Sequence, residues 1–249
     1  MGLFLETIIV SLTILISALV PFFWKLNHKK NSIMFLVGTG ALTGIVTFDL
    51  LPDLWTFGGS QSLWILFAVW ALYSVMHYFQ IGHHHHNHTL PPHTEDTSVA
   101  HIQESSIFFI LSSMMLHCFA SGVLLAVSNE ISSDLAKNVF YALIAHKVYE
   151  ALTVSSVIVE KIKARMKVIL ALLAYSFSLP FGVALSLAFK GSLSPNVAII
   201  ATSIAAGTLL GCLVFDFWLP TLAHLKHSRR DLMWIILGLL LTQAFMLLF

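Results

Sequence analysis

The sequence predicts an all-α polytopic membrane protein. It has eight transmembrane helices, with spans 1–3 and 6–8 forming an inverted repeat around central spans 4 and 5. Three observations predict this. The 249 residues are 57% hydrophobic and only 10% charged, with mean hydropathy +0.86, well below the roughly 25% charge of soluble domains. Apolar runs of about 20 residues, the length a bilayer core requires, recur along the whole chain. The second and seventh of these runs share one pattern read in opposite directions across the membrane.

The runs fall at residues 4–24, 32–53, 61–81, 106–128, 138–160, 166–189, 195–219 and 231–249. Polar, turn-forming breaks separate them, from "KLNHKKN" and "TFGGSQ" to "KGSLSPN" and "AHLKHSRRD", as expected of loops. The chain reads as one transporter domain, 1–249, with a histidine-rich loop at 82–104 inside it. The N-terminus has no basic segment ahead of its apolar run and no small-residue cleavage site, so it reads as a retained span. Glu6 stands where a myristoylation pattern needs Ser or Thr, which excludes that anchor. Cys118 and Cys212 lie within apolar runs and are expected to pack as small hydrophobes without a disulfide. A net charge of +1 without a basic run gives no footprint for nucleic acid.

Basic residues set the orientation. Lys25, Lys29 and Lys30, then Lys161, Lys163, Arg165 and Lys167, then Lys226, Arg229 and Arg230 fall at loops 1, 5 and 7, whereas loops 4 and 6 hold only Lys137 and Lys190. By the positive-inside rule the odd loops, including the histidine-rich one, face the cytoplasm. Both termini then face outside, in a plasma membrane for which short loops suggest a bacterial inner membrane.

Span 2 reads "GALTGIVTFDLLPD" and span 7 "GTLLGCLVFDFWLP". They share G-x3-G-x3-F-D through Gly40, Gly44, Phe48, Asp49 and Gly207, Gly211, Phe215, Asp216. The two spans cross in opposite directions, which is the signature of a carrier built from inverted halves around a midplane site. Gly-x3-Gly is also ordinary helix-packing grammar, and on that reading the second Phe-Asp pair is coincidence.

Ionisable residues inside spans carry the chemistry, since a mid-bilayer charge costs roughly 2.5–3.5 kcal/mol on insertion scales. His117 with Ser121, and His146 with Glu150, are i, i+4 pairs and therefore polar stripes. Two imidazoles and a carboxylate suit a borderline-soft divalent cation, with Cys118 or Ser121 as further donors. Each histidine could instead bond a neighbouring helix.

"HCFASG" at 117–122 and "HKVYEA" at 146–151 resemble the fourth- and fifth-helix motifs of the Zrt/Irt-like (ZIP) divalent-metal transporters. "DLLPD" at 49–53 resembles that family's second-helix signature. The resemblance implies eight spans, outward termini and metal transport. Two departures stand out. Cys118 and Ser121 replace the usual helix-4 Asn and acid, and Lys147 stands where paired-metal members place an acidic or amide ligand. An ammonium there substitutes for a second cation, so one metal is expected; Lys147 also has Glu150 one turn on as an ion-pair partner.

Asp49, Asp53 and Asp216 are expected along the entrance and exit path, or else as interfacial residues near water. His77 is expected to pack or snorkel. The loop histidines His83, His84, His85, His86, His88 and His93, followed by His101, read as a disordered, low-affinity metal binder. The expected function is movement of zinc, or another divalent metal, into the cytoplasm by alternating access, with metal ions and lipid as partners, no resident cofactor and a homodimer left open. An intramembrane zinc hydrolase acting on lipid and a metal sensor working through the loop are the alternatives.

Overall fold

In a computed structural model the described residues are 2–24, 28–83, 104–189, 195–225 and 229–246, and they are helical almost throughout, with no strand among them. The helices are α1 Leu3–Trp24, α2 His28–Ile45, α3 Leu51–His83, α4 Glu104–Ile131, α5 Ser133–Lys161, α6 Arg165–Ala188, α7 Pro195–Cys212, α8 Leu219–Leu225 and α9 Arg229–Met246. Among the described residues seven helices are long and apolar enough to cross a membrane, and Asp231–Ala244 of α9 is a shorter apolar one. The protein is thus an all-α polytopic membrane protein.

Spans 2 and 7 are each interrupted by a π-helical turn. One covers Val46–Leu50 between α2 and α3, the other Leu213–Trp218 between α7 and α8. Each contains the Phe-Asp pair of the repeated motif, so both halves widen at the same motif position. Such turns cluster at functional sites. Spans 2 and 3 then run on as α3, broken at Gly59, whose φ of +58° is a left-handed conformation that glycine adopts without steric cost.

Packing follows the repeat. If span 1 is exchanged with 6, 2 with 7, 3 with 8 and 4 with 5, the principal helix pairs map onto one another. The pair α4–α6 maps to α5–α1, α2–α9 to α7–α3, and α4–α7 to α5–α2, while α4–α5 and α1–α6 map to themselves. Counterparts five spans apart cross in opposite directions, which makes the repeat an inverted one.

Glycines set the closest crossings. A Cβ on Gly122 would run into the carbonyl of Leu179, and one on Gly182 into that of Phe119, so α4 and α6 meet backbone to backbone. Gly40 and Gly238 do the same for α2 and α9, as small residues do at membrane helix contacts. Several buried hydroxyls bond back to their own helices, as Thr39 does to the Phe35 carbonyl at 2.9 Å, which satisfies them in an apolar setting. Ser132 caps α5 by accepting from the Leu135 amide at 3.1 Å, a standard start for a helix.

Candidate metal centre

His117 of α4 and His146 and Glu150 of α5 converge. Each offers a ligand atom, these atoms lie within 4.8 Å of one another, and all three residues are buried. His117 Nε2 is 3.5 Å from Glu150 Oε2, and the two imidazoles lie 5.9 Å apart between centroids. Two donors bound at about 2.0–2.1 Å to a tetrahedral zinc stand about 3.3 Å apart. The His117–Glu150 spacing is therefore long for a hydrogen bond and close to that of two ligands of one ion. His117 Nε2 and His146 Nε2 are buried without a hydrogen-bond partner, whereas buried side-chain polar atoms are normally satisfied.

Glu150 is held from three directions. Lys147 Nζ lies 2.6 Å from Oε2, the Tyr175 hydroxyl of α6 donates to Oε1 at 2.9 Å, and the Cys118 thiol approaches the same Oε1 at 3.6 Å. Lys147 is fully buried, so Glu150 is its internal counterion.

The other expected donors are distributed unevenly. Cys118 touches Glu150 but is not among the three groups whose ligand atoms converge. Ser121 turns away, its hydroxyl donating to the carbonyl of His117 at 2.8 Å. Asp49, expected as a separate entrance group, reaches the centre's edge: its Oδ2 is 3.7 Å from His146 Nδ1, and its side chain is 23% exposed. The residue thus borders both the centre and the accessible surface. Asp53 is exposed. Asp216 belongs to a second cluster, accepting from the Tyr73 hydroxyl at 2.6 Å and lying 3.6 Å from His77 Nε2. His77, expected to pack or snorkel, is buried there. His83 closes α3, but its side chain and the rest of the histidine loop, His84 through His101, fall outside the described residues.

Sequence reasoning missed Tyr175 and Tyr73. The signal was available in kind, since a tyrosine hydroxyl buried within a span must find a partner, but its partner lies on another helix in each case. A partly buried pair between α1 and α4 was also invisible: Asn129 donates to Glu6 at 2.8 Å.

A family profile described as ZIP Zinc transporter matches residues 76–249. That stretch contains every residue of the converging triad, together with His77 and Asp216. A search of curated proteins returns no match.

Proposed function

The chain belongs to the ZIP zinc transporter family and is a divalent metal transporter; from this premise we propose that it carries zinc into the cytoplasm by alternating access through a centre holding one ion. The observation that carries the proposal is the convergence of His117, His146 and Glu150, with imidazole nitrogens buried and unpartnered. Unsatisfied nitrogens beside a carboxylate cost free energy in the empty state, and a borderline-soft cation removes that cost.

Lys147 makes the centre a one-ion site. Its ammonium already occupies one face of the carboxylate, and a second divalent ion beside it would meet like charge in a low-dielectric setting. The arriving cation competes with Lys147 for Glu150 Oε2, and on release the ammonium closes back, so the carboxylate is never left bare. Tyr175 keeps the other oxygen oriented through both states. Asp53 and Asp49 gather the ion from the outer side, and Asp216 lies on the path toward the histidine loop. Alternating exposure is supported by the inverted repeat, in which each half has the same π-turn break, a frame suited to rocking around a fixed midplane site. The concentration of basic residues at loops 1, 5 and 7 supports an orientation with the histidine loop on the cytoplasmic side.

The test is zinc uptake into proteoliposomes. His146→Ala and Glu150→Ala are expected to abolish uptake while the protein still inserts; wild-type uptake by both would remove the centre from the pathway. A panel of divalent ions in the same vesicles identifies the preferred metal.

A further inference from the structure

We infer that Tyr73, Thr43 and Trp218 are positioning residues that clasp the π turn of span 7 shut in one facing of the carrier, and that this clasp must part before the ion passes. The two π turns share a motif but not an environment. In Leu213–Trp218 the consecutive residues Phe215, Asp216, Phe217 and Trp218 each meet a side chain of α2 or α3. Phe215 stacks on His77 at 5.0 Å and Phe217 on Phe35 at 5.1 Å, between ring centroids. The Tyr73 hydroxyl donates to Asp216 Oδ2 at 2.6 Å, and Trp218 Nε1 donates to the Thr43 hydroxyl oxygen at 2.9 Å. The matching residues of span 2 are looser. Phe48, the counterpart of Phe215, is 52% exposed, and the Asp49 side chain is 23% exposed against 0% for Asp216. Leu50 and Leu51, which match Phe217 and Trp218, carry no hydrogen-bonding side chain.

The two bonds are chemically specific. Indole is a donor only, and Thr43 can accept from it because its own proton is given to the Thr39 carbonyl at 2.7 Å. Tyr73 donates to a carboxylate, and such bonds are roughly twice as strong as those between neutral groups. Both links are therefore directional and hold only in one arrangement of these helices.

Each of these contacts also joins one half of the repeat to the other, since α2 and α3 belong to spans 2 and 3 and the clasped turn to span 7. Rocking of repeat-related helices around a midplane site changes the contacts between the halves, so the clasp belongs to one facing and opens in the other. While it is shut, Tyr73 holds Asp216 in the helix packing; parting frees the carboxylate. The clasp's part in transport rests on the proposed function above; its ability to open does not.

Two arms test the clasp on the full-length protein in proteoliposomes. Cys212 adjoins the turn and is fully buried. In Cys118→Ser it is the sole thiol, so its alkylation by N-ethylmaleimide reports opening. Without zinc, Tyr73→Phe is expected to speed alkylation about tenfold, as loss of a hydrogen bond to a charged group allows, and Thr43→Val about fivefold, as loss of a neutral one does. The second arm introduces Thr43→Cys and Trp218→Cys into Cys118→Ser/Cys212→Ser and bridges the pair with a short bis-methanethiosulfonate. The reference is the same protein capped with a monofunctional methanethiosulfonate. Bridging is expected to reduce zinc uptake to the level of protein-free vesicles while zinc binding stays unchanged. A contact that persists through the whole cycle is indifferent to such a bridge, so a merely structural role does not give this result. The inference is overturned if the bridged protein carries zinc as fast as the capped one, if bridging removes zinc binding as well, or if neither Tyr73→Phe nor Thr43→Val changes Cys212 alkylation. Should no form of the protein carry zinc, the proposed function falls and the alkylation arm alone decides the clasp.

Discussion

Lys147 Nζ rests 2.6 Å from Glu150 Oε2, and neither side chain is more than 1% exposed. Removing one member of such a buried pair costs about 3–5 kcal/mol. Lys147→Met is therefore expected to lower the melting temperature of the metal-free protein sharply. Saturating zinc should restore most of the loss, because the ion then satisfies Glu150. With its competitor gone, zinc should also bind about tenfold tighter or better, a gain of about 1.4 kcal/mol. Thermal unfolding with and without zinc checks both statements.

The pair should behave as a unit. Glu150→Gln strands a buried ammonium, so the double variant Lys147→Met/Glu150→Gln is expected to be more stable than the sum of the single losses allows, as a double-mutant cycle reads it. Zinc uptake should nevertheless stay absent in the double variant. Additive losses would mean that the two side chains do not depend on one another.

Ligands and their supports are expected to separate by magnitude. Tyr175→Phe removes the hydroxyl that donates to Glu150 Oε1 and should reduce zinc affinity by roughly 10–100-fold, the usual cost of losing an outer partner of a metal ligand. His117→Ala and His146→Ala should each exceed that range. Competition against a zinc-selective dye in detergent ranks the three variants.

Ser121→Ala distinguishes the placement seen here from the ligand role its spacing suggests. The hydroxyl is spent on the His117 carbonyl, a bond worth about 1 kcal/mol net. Zinc uptake is expected to stay at the wild-type level, and a large loss would place Ser121 in the coordination shell.

The backbone crossing of α4 and α6 sets a different requirement. Gly122→Ala and Gly182→Ala should each cost about 1–3 kcal/mol, as overpacking does, because in each case the new methyl meets a backbone carbonyl on the facing helix. Melting temperatures of the purified variants provide the check.

Much of this was legible in the sequence because a bilayer imposes strong periodic demands. Span length and the candidacy of His117, His146 and Glu150, which the fold brings together, both follow from the cost of burying polar groups in hydrocarbon. The repeat was legible too, since the helix pairs exchange as its two halves require. What remained hidden depended on rotation about helix axes and on local backbone register. Ser121 and Glu150 each lie four residues after a histidine, yet one bonds its own helix and the other meets three partners. The π turns shift Asp49 and Asp216 by an amount that an ideal 3.6-residue period does not predict. Thus Asp49 borders the centre, and Asp216 pairs with a histidine that sequence alone assigned to packing.

The exchange that relates the halves stops at the donors. Where α4 contributes His117, Cys118 and Ser121, α5 contributes His146, Lys147 and Glu150, so one arm of a near-symmetric frame holds both formal charges. The ion pair of Lys147 and Glu150 thus sits wholly on α5, and the matching positions of α4, Cys118 and Ser121, carry no formal charge. The symmetry of the frame is broken at the one place where its two halves meet.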